Sequence, residues 1–381
     1  MRICHVSPHL PPDQAANALL PAELGRWAVE AGDEVSFVAH EPAQGRTAPA
    51  ALAGPVTHVP SRRPASALAR AVRWHTWQRA RRIIHALGTT AANADLLHLH
   101  SNGLIVEVAA AWAARRGLPY VLTLYGTEVW HYAPRWPIDP FRRAYLGAGE
   151  VTFYSRGLQD RAVELGLDRR GLSVIYPAVR PTFVPCDETA RRGLRAALGL
   201  GAGPVILNVK RLHELAGQKY LLDAFARLAA ARPGLTLVMC GTGPLAADLE
   251  AQARALGIAD RLRFTGLIGN DEVARYAAAA DVFALPSLLE ALPTVAVEAL
   301  AAGTPVVSAD HPGGVELHAL FGDDVAVVPR RDAGALAEAL GTAVDRPRRV
   351  RPDTLALVRD RFGPASVQAA YRALYGRITH K

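Results

Sequence analysis

Two tandem α/β domains, each a parallel sheet with crossover helices, are the fold class this sequence predicts. Three observations carry the prediction. The chain has 381 residues, and a single core stops growing beyond about 250 to 300 residues, so two cores are expected. Short apolar runs alternate with segments of helical periodicity almost throughout. The alternation breaks once, at residues 177–185 (PAVRPTFVP), where three prolines fall in nine residues. That composition is typical of an interdomain linker.

In chain order, the first half offers strands over 2–7, 34–39, 56–59, 96–100, 120–124, 151–154 and 173–176. Helices are expected between them at 18–31, 65–87, 104–116 and 156–165. The 65–87 helix carries Leu68, Val72, Ala80, Ile83 and Leu87 on one face, while Arg70, Trp74, Trp77 and Arg81 share another. Arginine beside tryptophan suits peripheral contact with an anionic membrane, and it also suits packing with snorkelling arginines. The second half offers strands over 205–209, 236–240, 261–265, 282–285, 305–308 and 325–328, each joined to the next by a helical segment. The domains are therefore placed at 1–180 and 181–363. A terminal helix at 364–381 has apolar residues at helical spacing that suit packing back on either domain, the first among them. Strand ends of two such domains put their ligand sites within reach of one shared cleft.

Composition narrows the class. Cys4, Cys186 and Cys240 are far apart, with no C-x-x-C, which favours a reducing compartment and argues against a cysteine metal site. The amino-terminal residues lack the apolar region of a signal peptide, and no run approaches the ~20 apolar residues of a membrane span. A cytoplasmic protein is expected. The net charge is +8, and all but three of the 43 basic residues are arginine. A positive surface attracts nucleotides, phosphates or an anionic membrane. Nucleic acid is not expected, since no recognition motif is present.

The stretch 286–316, PSLLEALPTVAVEALAAGTPVVSADHPGGVE, concentrates the candidate chemistry. Proline favours the first helical position, so Pro293-Thr294 predicts a helix start. Glu290 then lies in the preceding loop and Glu298 about a turn inside. The free amides near Thr294 and Val295 would attract an anion. Taken alone, two glutamates at this spacing arise by chance. Upstream, Lys210, Arg211 and Lys219 follow a strand's carboxyl edge. That cluster can neutralise a departing diphosphate, or serve solubility alone. Gly241 and Gly243 follow the next strand in CGTGPLA, but no acid ends the strand after it, so the dinucleotide fingerprint fails and the glycines are read as a tight turn. No D-x-D occurs, so no divalent ion is expected on a diphosphate. His98 and His100 point the same way from one strand. A core role is favoured for them over metal ligation, with no third ligand spaced nearby.

These stretches together resemble the GT-B-type retaining glycosyltransferases of family GT4. The second half carries the likeness, through NVKRL, VMCGTGPL, RFTGLIGNDEV, the 286–316 block and VVPRRD. The first half follows more loosely, through GDEVSFVAH, LLHLH, YVLTLYGTE and VIYPAV. The resemblance implies two Rossmann-like domains and a metal-independent transfer, without cofactor, from a nucleotide-diphosphate sugar. A UDP- or GDP-sugar is expected ahead of an ADP-sugar. By this analogy Glu290 meets the donor sugar and Glu298 the ribose. Arg211 with Lys219 or Lys210 holds the diphosphate, amides at Thr294 and Val295 meet sugar and phosphates, and the backbone at Ile268 reads the base. Tyr125, Gly126, Thr127 and Asn17 fall on the acceptor side.

Three departures stand out. Ala216 occupies the place of the family lysine, Tyr125 that of a histidine before glycine, and Ala15-Ala16-Asn17 that of a glycine pair. Pro293 replaces a glycine of many members. A nucleotide-sugar-binding protein without transfer, a same-fold phosphorylase or epimerase, and a nucleotide-linked oxidoreductase are the competing readings.

Overall fold

The computed structural model describes residues 1–13, 16–42, 52–61 and 74–379. The chain divides into two units, Met1–Tyr176 with Gln368–Lys381, and Pro177–Val367.

The first unit holds a seven-stranded sheet. Its strands are β1 (Arg2–Ser7), β2 (Glu34–His40), β3 (Val56–Val59), β4 (Leu96–His100), β5 (Tyr120–Leu124), β6 (Glu150–Phe153) and β7 (Leu172–Val174), in the order 3-2-1-4-5-6-7. Every neighbouring pair is parallel. The second unit repeats the plan with β8 (Val205–Val209), β9 (Thr236–Cys240), β10 (Leu262–Gly266), β11 (Val282–Leu285), β12 (Val306–Ala309) and β13 (Val325–Val328), ordered 10-9-8-11-12-13. This sheet too is parallel throughout. In both, the strand order reverses beside the first strand, between β1 and β4 and between β8 and β11. A crevice at the carboxyl ends forms there because successive crossovers run to opposite sides.

Helices on both faces explain why the central strands are continuous apolar runs. LLHLH of β4 and YVLTL of β5 are buried at every position. One core gathers Leu97, Leu99, Val106, Leu122, Tyr145 and Phe153. The other gathers Ile206, Leu222, Phe225, Leu237, Met239 and Leu340. Helix starts follow local capping chemistry. Asp139 accepts from the Arg142 amide at 3.0 Å ahead of Pro140, and Ser155 accepts from Leu158 at 3.1 Å. Asp332 accepts from Gly334 and Ala335 at 2.9 Å each. Buried Asp281 accepts from the Val205 amide at 2.7 Å and pairs with Arg191 and Arg195 of the Glu188–Ala197 helix. Those contacts fix the post-linker helix to the first strand of the second sheet.

Two sequence expectations are corrected. The helix expected to end at 87 runs over Trp74–Thr90, because Gly88 is tolerated and the Thr89 hydroxyl closes the last turn on the Ala86 carbonyl at 3.0 Å. Its expected beginning, with Leu68, Arg70 and Val72, and the Trp74 side chain lie outside the described residues, as does Ala15. Pro293 is the N-cap of the Thr294–Ala301 helix, with extended ψ of 94°, and not its first helical residue. The Pro364–Thr379 helix belongs to the first unit from Gln368 onward.

Candidate functional site

The carboxyl edge of the second sheet brings several of the expected residues together. Lys210 directly follows β8, and Glu290 lies in the loop between β11 and the Thr294–Ala301 helix. The Lys210 Nζ meets Glu290 Oε1 at 2.6 Å, both side chains being partly exposed. Glycines let the loops approach so closely. A Cβ on Gly241, whose φ is +138°, would stand 2.1 Å from the Lys210 carbonyl oxygen, and one on Gly243 would stand 2.1 Å from that of Leu212. Amides of Lys210 and Leu212 bond across to Cys240 and Thr242 at 3.0 Å each. These contacts are why a tight glycine turn follows β9.

Behind Glu290, the Gly313 amide bonds the Glu290 carbonyl at 3.1 Å. His311 caps the Pro312–Phe321 helix, its Nδ1 accepting from Gly314 at 3.0 Å. Burial lowers the His311 imidazole to about 4, so it is neutral and its acceptor nitrogen is available to the cap. Glu298 is half-buried on the Thr294–Ala301 helix. Burial raises its carboxyl to about 7, with Arg180 drawing it back only in part. Thr294 and Val295 are half-buried at the first turn of that helix, which has no side-chain cap. Their amides are thus placed to receive an anion.

The remaining expected donor residues are arranged more loosely. Arg211 is exposed, and its carbonyl accepts from Gln218 Nε2 at 3.1 Å. Lys219 is exposed near the start of the Gln218–Ala231 helix, 3.9 Å from Glu214 and over the Tyr220 ring at 5.2 Å. Among the described contacts it is therefore Lys210, and not Lys219, that joins Glu290. Ala216 is buried in a single 3-10 turn. Ile268 is half-buried ahead of the Asn270–Ala279 helix.

The first unit carries a different cluster. Tyr125 and Gly126 follow β5, and Thr127 opens the short Thr127–Trp130 helix. Buried Glu128 accepts from the Tyr125 and Gly126 amides at 3.2 and 2.8 Å and from Ser101 Oγ at 2.5 Å, which fixes this turn. The Asn17 carbonyl accepts from Ser7 Oγ at 2.7 Å. The expectation that His98 and His100 have no third partner is overturned. His5 on β1 stands beside them, and the three buried rings have potential ligand atoms within 4.8 Å of one another. The missing signal was register. His5 pairs with His98 across β1 and β4, and the sequence does not state that pairing. Arg180 was missed for the same reason, since packing alone brings it to Glu298, whereas His311 and Glu128 were missed although Gly314, Tyr125 and Gly126 lie within three residues of them.

Two Rossmann-like parallel-sheet domains with this site on the second define the GT-B class of glycosyltransferases. The family profile "Glycosyltransferase Family 4" matches residues 21–183 and "Glycosyl transferases group 1" matches 192–353. A 2-deoxystreptamine N-acetyl-D-glucosaminyltransferase of Streptomyces fradiae is 32% identical over 75% of this chain and 72% of its own length. A 2-deoxystreptamine glucosyltransferase of Streptomyces kanamyceticus is 33% identical over 56% of this chain, and the match spans 59% of that relative. Sucrose-phosphate synthase from Thermosynechococcus elongatus superposes with a TM-score of 0.77 at 20% identity, covering 100% of this chain and 99% of the other. Anabaena Alr3699/HepE in complex with UDP and glucose superposes at 0.75 and 20% identity, covering 99% and 100%. The chain belongs to the family 4 glycosyltransferases.

Proposed function

We propose that the protein transfers a sugar from a nucleotide-diphosphate sugar to an acceptor hydroxyl, with retention and without a metal or other cofactor. The observation that carries this reading is the Lys210–Glu290 pair at 2.6 Å, which lies beside an uncapped helix start at the carboxyl edge of the second sheet. Glu290 accepts hydrogen bonds from donor-sugar hydroxyls. Lys210 and Arg211 face the diphosphate together with the amides of Thr294 and Val295, and Lys219 reaches it from the next helix. Glu298 takes the ribose and the backbone at Ile268 the base. The anomeric carbon–oxygen bond to the diphosphate breaks and a bond to the acceptor oxygen forms. The acceptor proton passes to the departing diphosphate, whose charge the cations balance.

Relatives supply candidate substrates. One is named for GDP-mannose and a phosphatidylinositol monomannoside, two for 2-deoxystreptamine, and HepE is seen with UDP and glucose. A UDP- or GDP-sugar and a cyclitol acceptor are therefore the first pairs to assay. Product formation by mass spectrometry from UDP-glucose, UDP-N-acetylglucosamine and GDP-mannose with 2-deoxystreptamine or inositol phosphate decides the reading. Glu290→Gln is expected to lower kcat at least a hundredfold with the fold intact, and a wild-type rate in that variant would overturn the site. We further infer peripheral contact with an anionic membrane through the helix that carries Trp77 and Arg81.

A further inference from the structure

The buried polar groups of the first unit form a directed network that the reading above leaves unused. His100 Nδ1 meets the Tyr125 hydroxyl at 2.8 Å, and His100 Nε2 meets His5 Nδ1 at 3.0 Å. His5 Nε2 is buried and has no hydrogen-bond partner among the described residues. The third ring, His98, spends both nitrogens elsewhere, on Tyr375 and Thr123 at 2.7 Å each. It stacks on His100 with centroids 4.0 Å apart. Of the Tyr125–His100–His5 chain only Tyr125 is part-exposed. It stands at the carboxyl end of β5, the edge where doubly wound sheets meet ligands.

A neutral imidazole has one donor and one acceptor nitrogen, so the two rings have only two consistent arrangements. In one, His5 Nδ1–H donates to His100 Nε2, His100 Nδ1–H donates to the Tyr125 oxygen, and the phenolic hydrogen is left to point at a ligand. In the other every bond reverses. The Tyr125 hydroxyl then donates inward to His100, and His5 is left with an unpaired Nε2–H. Orphaned buried donors are rarer than orphaned acceptors, which favours the first arrangement. Burial also lowers the His5 imidazole to about 3 and holds that of His100 well below its ordinary value, so both rings are neutral at physiological pH. Burial likewise raises the Tyr125 phenol, which keeps its proton.

We propose that Tyr125 is the group on the first domain that donates a hydrogen bond to a ligand oxygen, with His100 and His5 acting through it as positioning residues whose coupled tautomers set the direction of its hydroxyl. The ligand chemistry is a sugar or cyclitol hydroxyl, and this rests on the glycosyltransferase reading. The test uses the full chain labelled with 15N-histidine. Long-range proton–nitrogen correlations are expected to show both His5 and His100 protonated on Nδ1. His5→Asp puts an acceptor where the Nδ1 donor stood and should move the His100 proton to Nε2, as a carboxylate fixes the tautomer of a triad histidine. His5→Phe, whose ring keeps the stack on Phe37 that the imidazole makes at 5.5 Å, presents no acceptor and should leave the His100 proton on Nδ1.

In a responsive substrate pair, Tyr125→Phe and His5→Asp should each raise the acceptor KM about tenfold, as loss of a hydrogen bond of about 1.4 kcal/mol would. The double variant should do no worse than either alone. His100 protonated on Nε2 in the wild type would overturn the proposal, and so would a normal KM in His5→Asp beside an impaired Tyr125→Phe. Stoichiometric zinc retained by the purified protein and lost in His5→Phe would overturn it in favour of a metal centre. If no nucleotide sugar is turned over, the transferase reading fails, while the tautomers still decide the relay.

Discussion

Glu298 links the candidate site to stability. Its carboxyl is raised from about 4.5 to about 7 by burial, so the folded chain holds a proton there that the unfolded chain has released. The stabilising contribution is full below pH 4.5 and is lost as the pH rises through 7, an effect on the order of 1 to 3 kcal/mol. Glu298→Gln removes that component. Between pH 5 and pH 8 its Tm should fall several degrees less than that of wild type, and parallel Tm profiles would contradict the assignment. At this scale the sequence was legible where chemistry is local. Lys210 and the turn glycines were placed by strand ends and Glu290 by the helix start that follows it, while the roles expected of them rest on the family resemblance. The Lys210–Glu290 contact, the His5–His100 bond and the pairing of Asp281 with Arg191 and Arg195 were not, because each joins residues far apart in the chain through strand register or helix packing.

Elements were read more completely than contacts, because a doubly wound sheet writes its strands as apolar runs separated by helical periods. β1, β4, β5, β8 and β9 begin and end where the pattern places them. The short Pro140–Gly147 helix escaped notice, since its signal is the Asp139-Pro140 cap and not a long period. The helix Trp74–Thr90 carries the membrane inference. Trp77 is 50% exposed, and the Arg81 guanidinium lies 4.8 Å from its ring centroid. Such a pair sits one turn apart on a single face, with the ring able to enter a headgroup layer while the cation meets phosphate. Each arginine near an anionic surface contributes about 1 kcal/mol. Arg81→Ala and Trp77→Ala should therefore each lower co-flotation with phosphatidylserine vesicles about fivefold at low salt, and leave neutral vesicles unaffected. Equal flotation of wild type and variants would remove this surface from consideration.

The whole molecule is discontinuous, because the first unit closes only when residues from Gln368 return to it. Tyr371, Leu374, Tyr375 and Ile378 are buried there, Tyr375 holds His98, and Gln368 bonds the Trp27 carbonyl at 3.2 Å. Burying side chains of this size contributes about 1.5 to 3 kcal/mol each, and the sum rivals the net stability of an ordinary domain. A chain stopped after Gly363 should lose the cooperative melt of its first unit while 177–363 stays protease-resistant. An unchanged two-step melt would show that the returning helix is dispensable. The same connectivity has a consequence during synthesis. The opening 176 residues leave the ribosome before the segment that completes their core, and the whole second unit is made in between. At 5 to 20 residues per second that interval lasts about 10 to 40 s. Throughout it the nascent first domain exposes the groove meant for its returning helix, a natural stage for chaperone engagement.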